Sequence, residues 1–279
     1  MIFKYPIDYN AGETKRRQEN IQELRKEIER YANGSTEKLP EKVVSFADRY
    51  DLNINYVVRK LYKNDIDQAD YNTDLYDRLC GFEKEPGRQN FHENTARDFL
   101  KKLPIIGGDV FVALPKDGPN ALFIDANGNG VTAARPKNPD STKSIDFMWI
   151  YIYNGQILKF YATHKYTRGE GGAQDNQFKD VEKFLRLAAS SESPDCIFVS
   201  ITDGDHYHKI LKKMQRNRLS ELKRKHEKQN ILVSDSNMIL HDVICKIKDW
   251  LVNDIHADNE ADGIEEIDRL NKILDDYYK

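Results

Sequence analysis

Residues 144–165, SIDFMWIYIYNGQILKFYATHK, contain two β-rich runs on either side of Asn154-Gly155. Asn-Gly is a strong signal for a two-residue hairpin loop, because both positions of that loop need a positive φ. With these two residues as the loop, Tyr153 lies opposite Gln156, and the residue numbers of every cross-strand pair sum to 309. The segment therefore predicts an antiparallel hairpin of defined register.

This register places three polar residues on one face of the hairpin. Asp146 comes opposite Thr163, and Thr163 shares its face with Lys165 because side chains alternate along a strand. Apolar residues fill the middle of both faces, so we expect both faces to be covered. A carboxylate and an ammonium at the end of a covered sheet need partners, because isolated buried charge is unfavourable. The position of Asp146 and Lys165 therefore predicts either a structural ion pair between them or a metal site in which the Asp146 carboxylate holds Mg2+.

Helical and strand-like patterns alternate around the hairpin. Apolar periodicity and end signals predict helices over 12–33, from Pro40, over 91–103, over 175–190, over a basic segment at 209–228, and over 237–251 introduced by Ser236. Strand-like runs occupy 109–114, 120–125, 131–135, 196–202 and 230–234. A strand, a crossover helix and a strand in that order imply a parallel pair joined right-handedly. We therefore predict an α/β fold with a mixed central β-sheet flanked by helices over 91–279, preceded by a helical region over 1–90.

Composition argues against a membrane span and a disulfide framework. The longest strongly apolar run, near Phe147–Tyr153, is far shorter than the roughly 20 residues that a spanning helix needs. The first ten residues lack the apolar core of a signal peptide. Cys80, Cys196 and Cys245 form no CxxC pair and are expected to be buried. We expect a cytoplasmic protein with no membrane partner.

The formal net charge of -3 hides a segregation of charge along the chain. Residues 209–228 contain nine Lys/Arg and two Glu, whereas residues 249–279 contain ten Asp/Glu and three Lys/Arg. A polyanion responds to a local basic stripe more than to net charge. We predict that Lys212, Lys213 and Arg216 contact DNA phosphates. The alternative is a solvated helix whose charge the acidic residues balance.

The order of these features resembles the core of the PD-(D/E)XK nucleases. An Asp on one strand, a hairpin-length gap and x-x-Lys at the end of the next strand form the family's pattern, and the resemblance covers roughly residues 91–250. It implies a restriction-endonuclease-like core. It also implies a Mg2+-dependent type II restriction endonuclease, which hydrolyses phosphodiester bonds of double-stranded DNA at a short specific site. A palindromic site would match a homodimer, because both have two-fold symmetry.

The resemblance also assigns roles to residues. Asp146 would be the first metal ligand and Lys165 the family's lysine. Thr163 stands in the place of the second acid, where a hydroxyl is a poorer Mg2+ ligand than a carboxylate. Glu93, on the preceding helix, is a candidate for the missing carboxylate. Pro139-Asp140 also spells the family's PD, so Asp140 remains an alternative to Asp146, although it would lie beyond the paired stretch.

Further DNA-contacting candidates lie in a turn and at two helices. Arg168 lies in the glycine-rich turn after the lysine, and Gln174 and Asn176 begin the next helix, whose free N–H groups favour phosphate and whose amides can read bases. Residues 41–65 resemble a helix-turn-helix, which implies DNA contacts by Asn55 and Arg59. A plain helical hairpin has the same pattern, and simple capping also explains the polar first turn of the later helix.

Two weaker patterns complete the sequence. DANGNG, residues 125–130, favours a hairpin turn over a calcium loop, because the twelfth position is Pro136 instead of glutamate. ITDGDHYHK, residues 201–209, clusters Asp203, His206 and His208 without the further spaced ligand typical of zinc. We expect that segment to form a loop at the end of the sheet that contacts DNA.

Two functions compete with the nuclease. One is a non-catalytic DNA-binding regulator in which Asp146 and Lys165 form only an ion pair. The other is a protein of nuclease fold that acts on RNA or damaged DNA, because a fold does not fix a function.

Overall fold

The computed structural model describes residues 7, 9–49, 52–61, 86–108, 110–132, 141–167, 172–211, 215–254 and 260–279. The chain divides into two compact units. One runs over Asp8–Phe91, and the other contains His92–Lys279.

The described part of the first unit is helical. Its helices include α1 (Tyr9–Ala32), α2 (Glu41–Arg49) and α3 (Ile54–Leu61). Their apolar faces meet in a cluster of buried residues: Leu24, Ile28, Val43, Phe46, Ala47, Val57 and Val58. Asn53 stands at the start of α3, where its side-chain oxygen accepts the N–H of Asn55 at 2.9 Å. The helix-turn-helix-like segment thus forms two helices that pack together with α1.

The second unit is α/β. Its helices are α4 (Pro86–Leu100, which begins before the unit boundary), α5 (Gly172–Ala188), α6 (Asp205–His208), α7 (Arg218–Lys225), α8 (Ile239–Asp254) and α9 (Glu260–Tyr278). Its strands are β1 (Val112–Ala113), β2 (Leu122–Ile124), β3 (Gly130–Thr132), β4 (Phe147–Tyr153), β5 (Gln156–Tyr166), β6 (Cys196–Asp203), β7 (Ile210–Leu211), β8 (Arg216–Asn217) and β9 (Ile231–Ser234).

The central sheet is mixed, which confirms the predicted fold class. Its strand order is β1-β4-β5-β6-β9, with β4 antiparallel to β1 and β5, and with β5, β6 and β9 parallel. Helix α5 connects the parallel strands β5 and β6. Strands β2 and β3, and strands β7 and β8, form two separate antiparallel pairs.

The register of the β4–β5 hairpin is confirmed. Tyr153 pairs with Gln156, and the pairing continues in step to Phe147 and Ala162. Asn154 and Gly155 have φ of 47° and 79°, the two positive values that this loop requires.

The ladder ends one pair earlier than the sequence predicts. The N–H of Asp146 donates to the carbonyl of Ala162 at 2.9 Å, and the carbonyl of Asp146 accepts the N–H of Leu114 at 2.9 Å. Asp146 therefore does not form a regular pair with Thr163, because its N–H bonds to β5 whereas its carbonyl bonds to the residue that follows β1.

The prediction that both hairpin faces are covered is wrong at the tip. On one face Trp149 and Phe160 are fully buried and stack at a ring distance of 5.2 Å. On the other face Ile152 and Ile157 are 55% and 42% exposed. Strand β6 pairs with β5 only from Lys159 onward, so the tip of the hairpin extends beyond the parallel part of the sheet.

The predicted basic helix over 209–228 is also wrong in its first half. The described residues form β7 and β8, and α7 begins only at Arg218, where the Asn217 side chain accepts the N–H of Ser220 at 2.8 Å. Asn217 is a favourable N-cap, so the helix begins after it.

Residues 125–130 form the turn between β2 and β3, as predicted. The Asp125 carboxylate accepts the N–H groups of Asn127 and Asn129, both at 2.9 Å, and therefore organises the turn. Gly128 has a φ of 80°, and a Cβ at this position would lie 2.2 Å from the backbone nitrogen of Ser191. Within the described residues, no helix is long and apolar enough to cross a bilayer.

Candidate active site

Asp146 is held in place at the start of β4. Its side chain is 5% exposed, and its Oδ2 accepts the backbone N–H of His164 at 2.8 Å. A hydrogen bond from a buried N–H to a carboxylate is stronger than one between neutral groups. The carboxylate is therefore oriented by the backbone of β5, two residues from the end of that strand.

Lys165 lies beside the same oxygen. Its Nζ is 3.7 Å from Asp146 Oδ2, and its side chain is 21% exposed, so the ammonium reaches both the carboxylate and solvent. The structure brings together the acid and the ammonium that the hairpin register predicts as neighbours. Alternation along β5 puts Thr163 on the same face as Lys165.

Glu93, on α4, belongs to the same electrostatic cluster. Burial raises the pKa of its carboxyl, and the negative charge of Asp146 raises it further, whereas Lys116 and Lys165 oppose the shift. Glu93 Oε2 lies 2.6 Å from Lys116 Nζ. Glu93 thus lies close enough to Asp146 for the two charges to interact, and its role as a metal ligand stays a prediction.

Two buried hydroxyl groups lie on the face of the sheet that carries Lys165. Thr163 is 6% exposed, and its Oγ1 makes no hydrogen bond with any described residue. Ser200, which is its register partner on β6, is fully buried, and its Oγ likewise has no described partner. Buried polar groups are normally hydrogen-bonded to protein or to ordered water, so these oxygens favour a polar ligand or water.

The oxygen groups of this set are of the kind that Mg2+ takes as ligands. Within the described residues, no three His, Cys, Asp or Glu side chains converge as metal ligands. Mg2+ commonly keeps several waters and takes only one or two protein carboxylates, the remaining ligands coming from a substrate phosphate. Asp146 and Glu93 supply that number, and the free Thr163 hydroxyl faces the side of the sheet on which Lys165 stands.

The opposite face of the sheet carries a different polar cluster. His164 Nε2 lies 3.4 Å from Asp203 Oδ2, and both side chains are almost fully buried. Asp203 Oδ1 accepts the N–H of Ser236 at 2.9 Å. His206 is 1% exposed and lies in a short helix, so the segment after β6 is helical where the sequence predicts a loop, and the DNA contacts expected of this segment stay a prediction.

A second histidine–carboxylate pair closes this end of the sheet. His208 Nε2 lies 3.4 Å from Asp235 Oδ2. Asp235 also accepts the N–H groups of Asn237 and Met238 at 2.9 and 3.0 Å. Asp235 therefore caps the start of α8, in the role that the sequence assigns to Ser236. Burial raises the pKa of Asp235, and the nearby His208 opposes that shift.

Only some of the predicted DNA-contacting residues lie within the described part of the chain. Asn55 and Asn176 are exposed, on α3 and α5. Arg168, Lys212, Lys213 and the alternative acid Asp140 lie outside the described residues, as do the side chains of Gln174 and Arg59. Arg216 is on β8 and lies 3.8 Å from Glu221.

Ion pairs balance much of the basic segment. Lys225 lies 2.6 Å from Glu182, and Lys223 lies 3.1 Å from Asp242. Arg224 forms a two-pronged contact with Glu221, which lowers the pKa of that carboxyl. These contacts reduce the positive field that α7 presents, and they favour the alternative of a charge-balanced helix for that part of the segment.

Sequence reasoning missed three groups at the site: Lys116, the Ser200 hydroxyl and the His164 backbone N–H. The position of Ser200 opposite Thr163 depends on the parallel register between β5 and β6, and no short loop sets that register. Lys116 stands between β1 and β2 in a segment without a motif. The His164 N–H is visible only in the geometry of the strand end.

The chain matches no family model, no curated protein and no solved structure at a significant level.

Proposed function

We propose that this protein is a Mg2+-dependent endonuclease that cuts double-stranded DNA at a short specific site, in the manner of a type II restriction enzyme. The observation that carries the proposal is the placement of Lys165 Nζ 3.7 Å from an oriented and buried Asp146 carboxylate. Glu93, whose pKa responds to the charge of Asp146, adds the second acid that a metal site of this kind requires.

Each residue of the site would have a separate role in phosphodiester hydrolysis. Asp146 and Glu93 would hold Mg2+, which when bound polarises the phosphate and offsets its charge. Lys165, on the same face, would orient the attacking water and stabilise negative charge that develops on the phosphate. The His164 N–H keeps the Asp146 carboxylate in one orientation before any ligand arrives. Thr163 and Ser200 offer hydroxyl groups that can hold a water beside these charges.

The regulator remains a second candidate, because the ion pairs on α7 and the threonine at the second acid position are also compatible with a structural Asp146–Lys165 pair. The two candidates differ in one respect. A regulator binds DNA and leaves it uncut, whereas a nuclease breaks the backbone in the presence of Mg2+.

The test uses the full chain with plasmid DNA, in Mg2+ or in EDTA. We expect discrete fragments with the wild-type protein in Mg2+ and none in EDTA. Lys165→Met should reduce the rate by at least about 100-fold, because a charge that stabilises the transition state is lost. Lys159→Met is the matched control, since Lys159 lies on the same strand and the same face but is exposed and far along the hairpin.

The outcomes separate the candidates. If Lys165→Met and Lys159→Met cut DNA at equal rates, Lys165 has no role in the reaction. Retarded but intact DNA at every Mg2+ concentration would instead support the regulator. We further propose that the nuclease acts as a homodimer on a palindromic site, and sedimentation equilibrium of the protein measures its oligomeric state directly.

A further inference from the structure

Two ammonium groups accompany the two carboxylates of the site. Lys165 pairs with Asp146, and Lys116, from the segment between β1 and β2, pairs with Glu93. The second contact is the closer one, at 2.6 Å between Lys116 Nζ and Glu93 Oε2. The Glu93 side chain is 20% exposed, whereas that of Lys116 is 42% exposed.

Lys116 therefore presents a positive charge where a metal ion would have to bind. A carboxylate oxygen that already faces an ammonium at this distance has exchanged water for a cationic partner. A divalent ion on the same carboxylate would lie within a few ångströms of the ammonium, and like charges at such distances repel strongly in a partly buried site. Glu93 can therefore hold either the Lys116 ammonium or a metal ion, but not both at once.

The exposure of Lys116 allows it to leave. Its side chain has a flexible four-carbon stem and three rotatable donors. The Lys116 side chain is already 42% exposed, so moving it costs less than moving a buried group. A DNA phosphate brought to the site would offer a new anionic partner on the solvent side, of the kind that lysine commonly contacts.

We propose that Lys116 is a displaceable counter-ion: it neutralises Glu93 in the metal-free protein, yields that carboxylate to Mg2+, and then contacts the phosphate backbone of the bound DNA. This inference rests on the proposed nuclease function and adds a residue that the resemblance does not assign. Lys116 competes with the metal in the free protein and supports DNA binding in the loaded protein.

The test measures metal binding without DNA. Calorimetric titration with Mn2+, which takes the same oxygen ligands as Mg2+, is applied to the wild type, Lys116→Met, Lys116→Arg and Lys225→Met. We expect Lys116→Met to bind Mn2+ on the order of tenfold more tightly, because the competing charge is gone. Lys116→Arg keeps the charge and should bind as the wild type does. Lys225→Met removes an ion pair of the same length elsewhere and should change nothing.

The second half of the test measures DNA. In Ca2+, which occupies oxygen sites, Lys116→Met should bind a duplex severalfold more weakly than the wild type, with a smaller dependence on salt. Circular dichroism establishes that each variant is folded, and Lys116→Gln replaces the methionine variant if that one is not.

The results distinguish this inference from the function on which it depends. Unchanged or weaker Mn2+ binding by a folded Lys116→Met or Lys116→Gln variant would overturn the role of Lys116 while leaving a wild type that binds metal and cuts DNA. A wild type that binds no Mn2+ and cuts no DNA would overturn the nuclease itself, and Lys116 with it.

Discussion

Replacing Asp146 by alanine removes the acceptor of a buried backbone N–H, whereas replacing it by asparagine keeps an acceptor and removes only the charge. The two variants therefore separate the structural role of the side chain from its proposed chemical role. In both, the carboxylate that would hold Mg2+ is lost. In only one is the N–H of His164 left without its 2.8 Å partner.

The magnitudes follow from the burial of each group. A buried donor that loses its partner costs about 1–3 kcal/mol. Lys165 also loses a partner, but its side chain is 21% exposed and can turn to water, so that loss is about 0–1 kcal/mol. We expect Asp146→Ala to lower the free energy of unfolding by about 1–4 kcal/mol and Asp146→Asn by about 0–1 kcal/mol. In a domain of 150–250 residues each kcal/mol shifts Tm by about 2–4 °C.

The assay is urea unfolding followed by tryptophan fluorescence. The chain has two tryptophans, Trp149 and Trp250, and both are buried in the unit that contains Asp146. Plasmid cutting is measured on the same samples, and both variants are expected to be inactive. Equal unfolding free energies for alanine and asparagine would show that the N–H contact does not stabilise the fold. Normal cutting by a folded Asp146→Asn would show that the carboxylate is not a metal ligand.

Two more predictions test the fold and the site. Gly204→Ala should lower the free energy of unfolding by more than about 3 kcal/mol, because Gly204 has a φ of 101° and a new Cβ would lie 2.2 Å from the carbonyl oxygen of Thr167. The control is Gly155→Ala, which has a φ of 79° but open space around it and should cost only about 1–2 kcal/mol. Urea unfolding measures both variants. Burial and Asp146 raise the pKa of Glu93 in the folded state. The stability that protonated Glu93 contributes to the fold is therefore fully present below the pKa of Glu93 in the unfolded chain, and it is lost as pH rises through the pKa in the folded protein. Metal-free Glu93→Gln should therefore gain stability relative to the wild type as pH rises above the unfolded pKa of glutamate, about 4.3, and through the raised folded pKa, and saturating Mg2+ should then stabilise the wild type alone. A constant stability difference over that rise in pH would contradict the assigned environment.

The hairpin shows what local sequence determines. The Asn154-Gly155 loop sets the register, and the register sets which side chains share a face, so Asp146 and Lys165 were predictable as neighbours. The order of α5 and β6 after β5 followed from the pattern of apolar residues. In these parts the decisive interactions lie within a few residues along the chain or across one two-residue turn.

Two of the misses have long-range causes, and one has a local cause. Whether the hairpin tip is covered depends on where β6 begins to pair, at Lys159. The segment over 209–228 has the charge pattern of one basic helix, yet Asn217 provides the cap and delays the start of α7. The partner of Glu93 is Lys116, 23 residues away along the chain. No local pattern predicts a contact of that kind.

Alternation along β5 has a consequence for how the molecule folds. His164 is 2% exposed beside Asp203 on one face, while Lys165 stands beside Asp146 on the other. If the strand paired one residue out of step, every side chain would change faces, so an ammonium would enter the closed interior and an imidazole would take its place among the acids. Such a misaligned chain has no way to satisfy both sets of charges. Correct alignment of β5 therefore brings Lys165 to Asp146 and His164 to Asp203 in a single event.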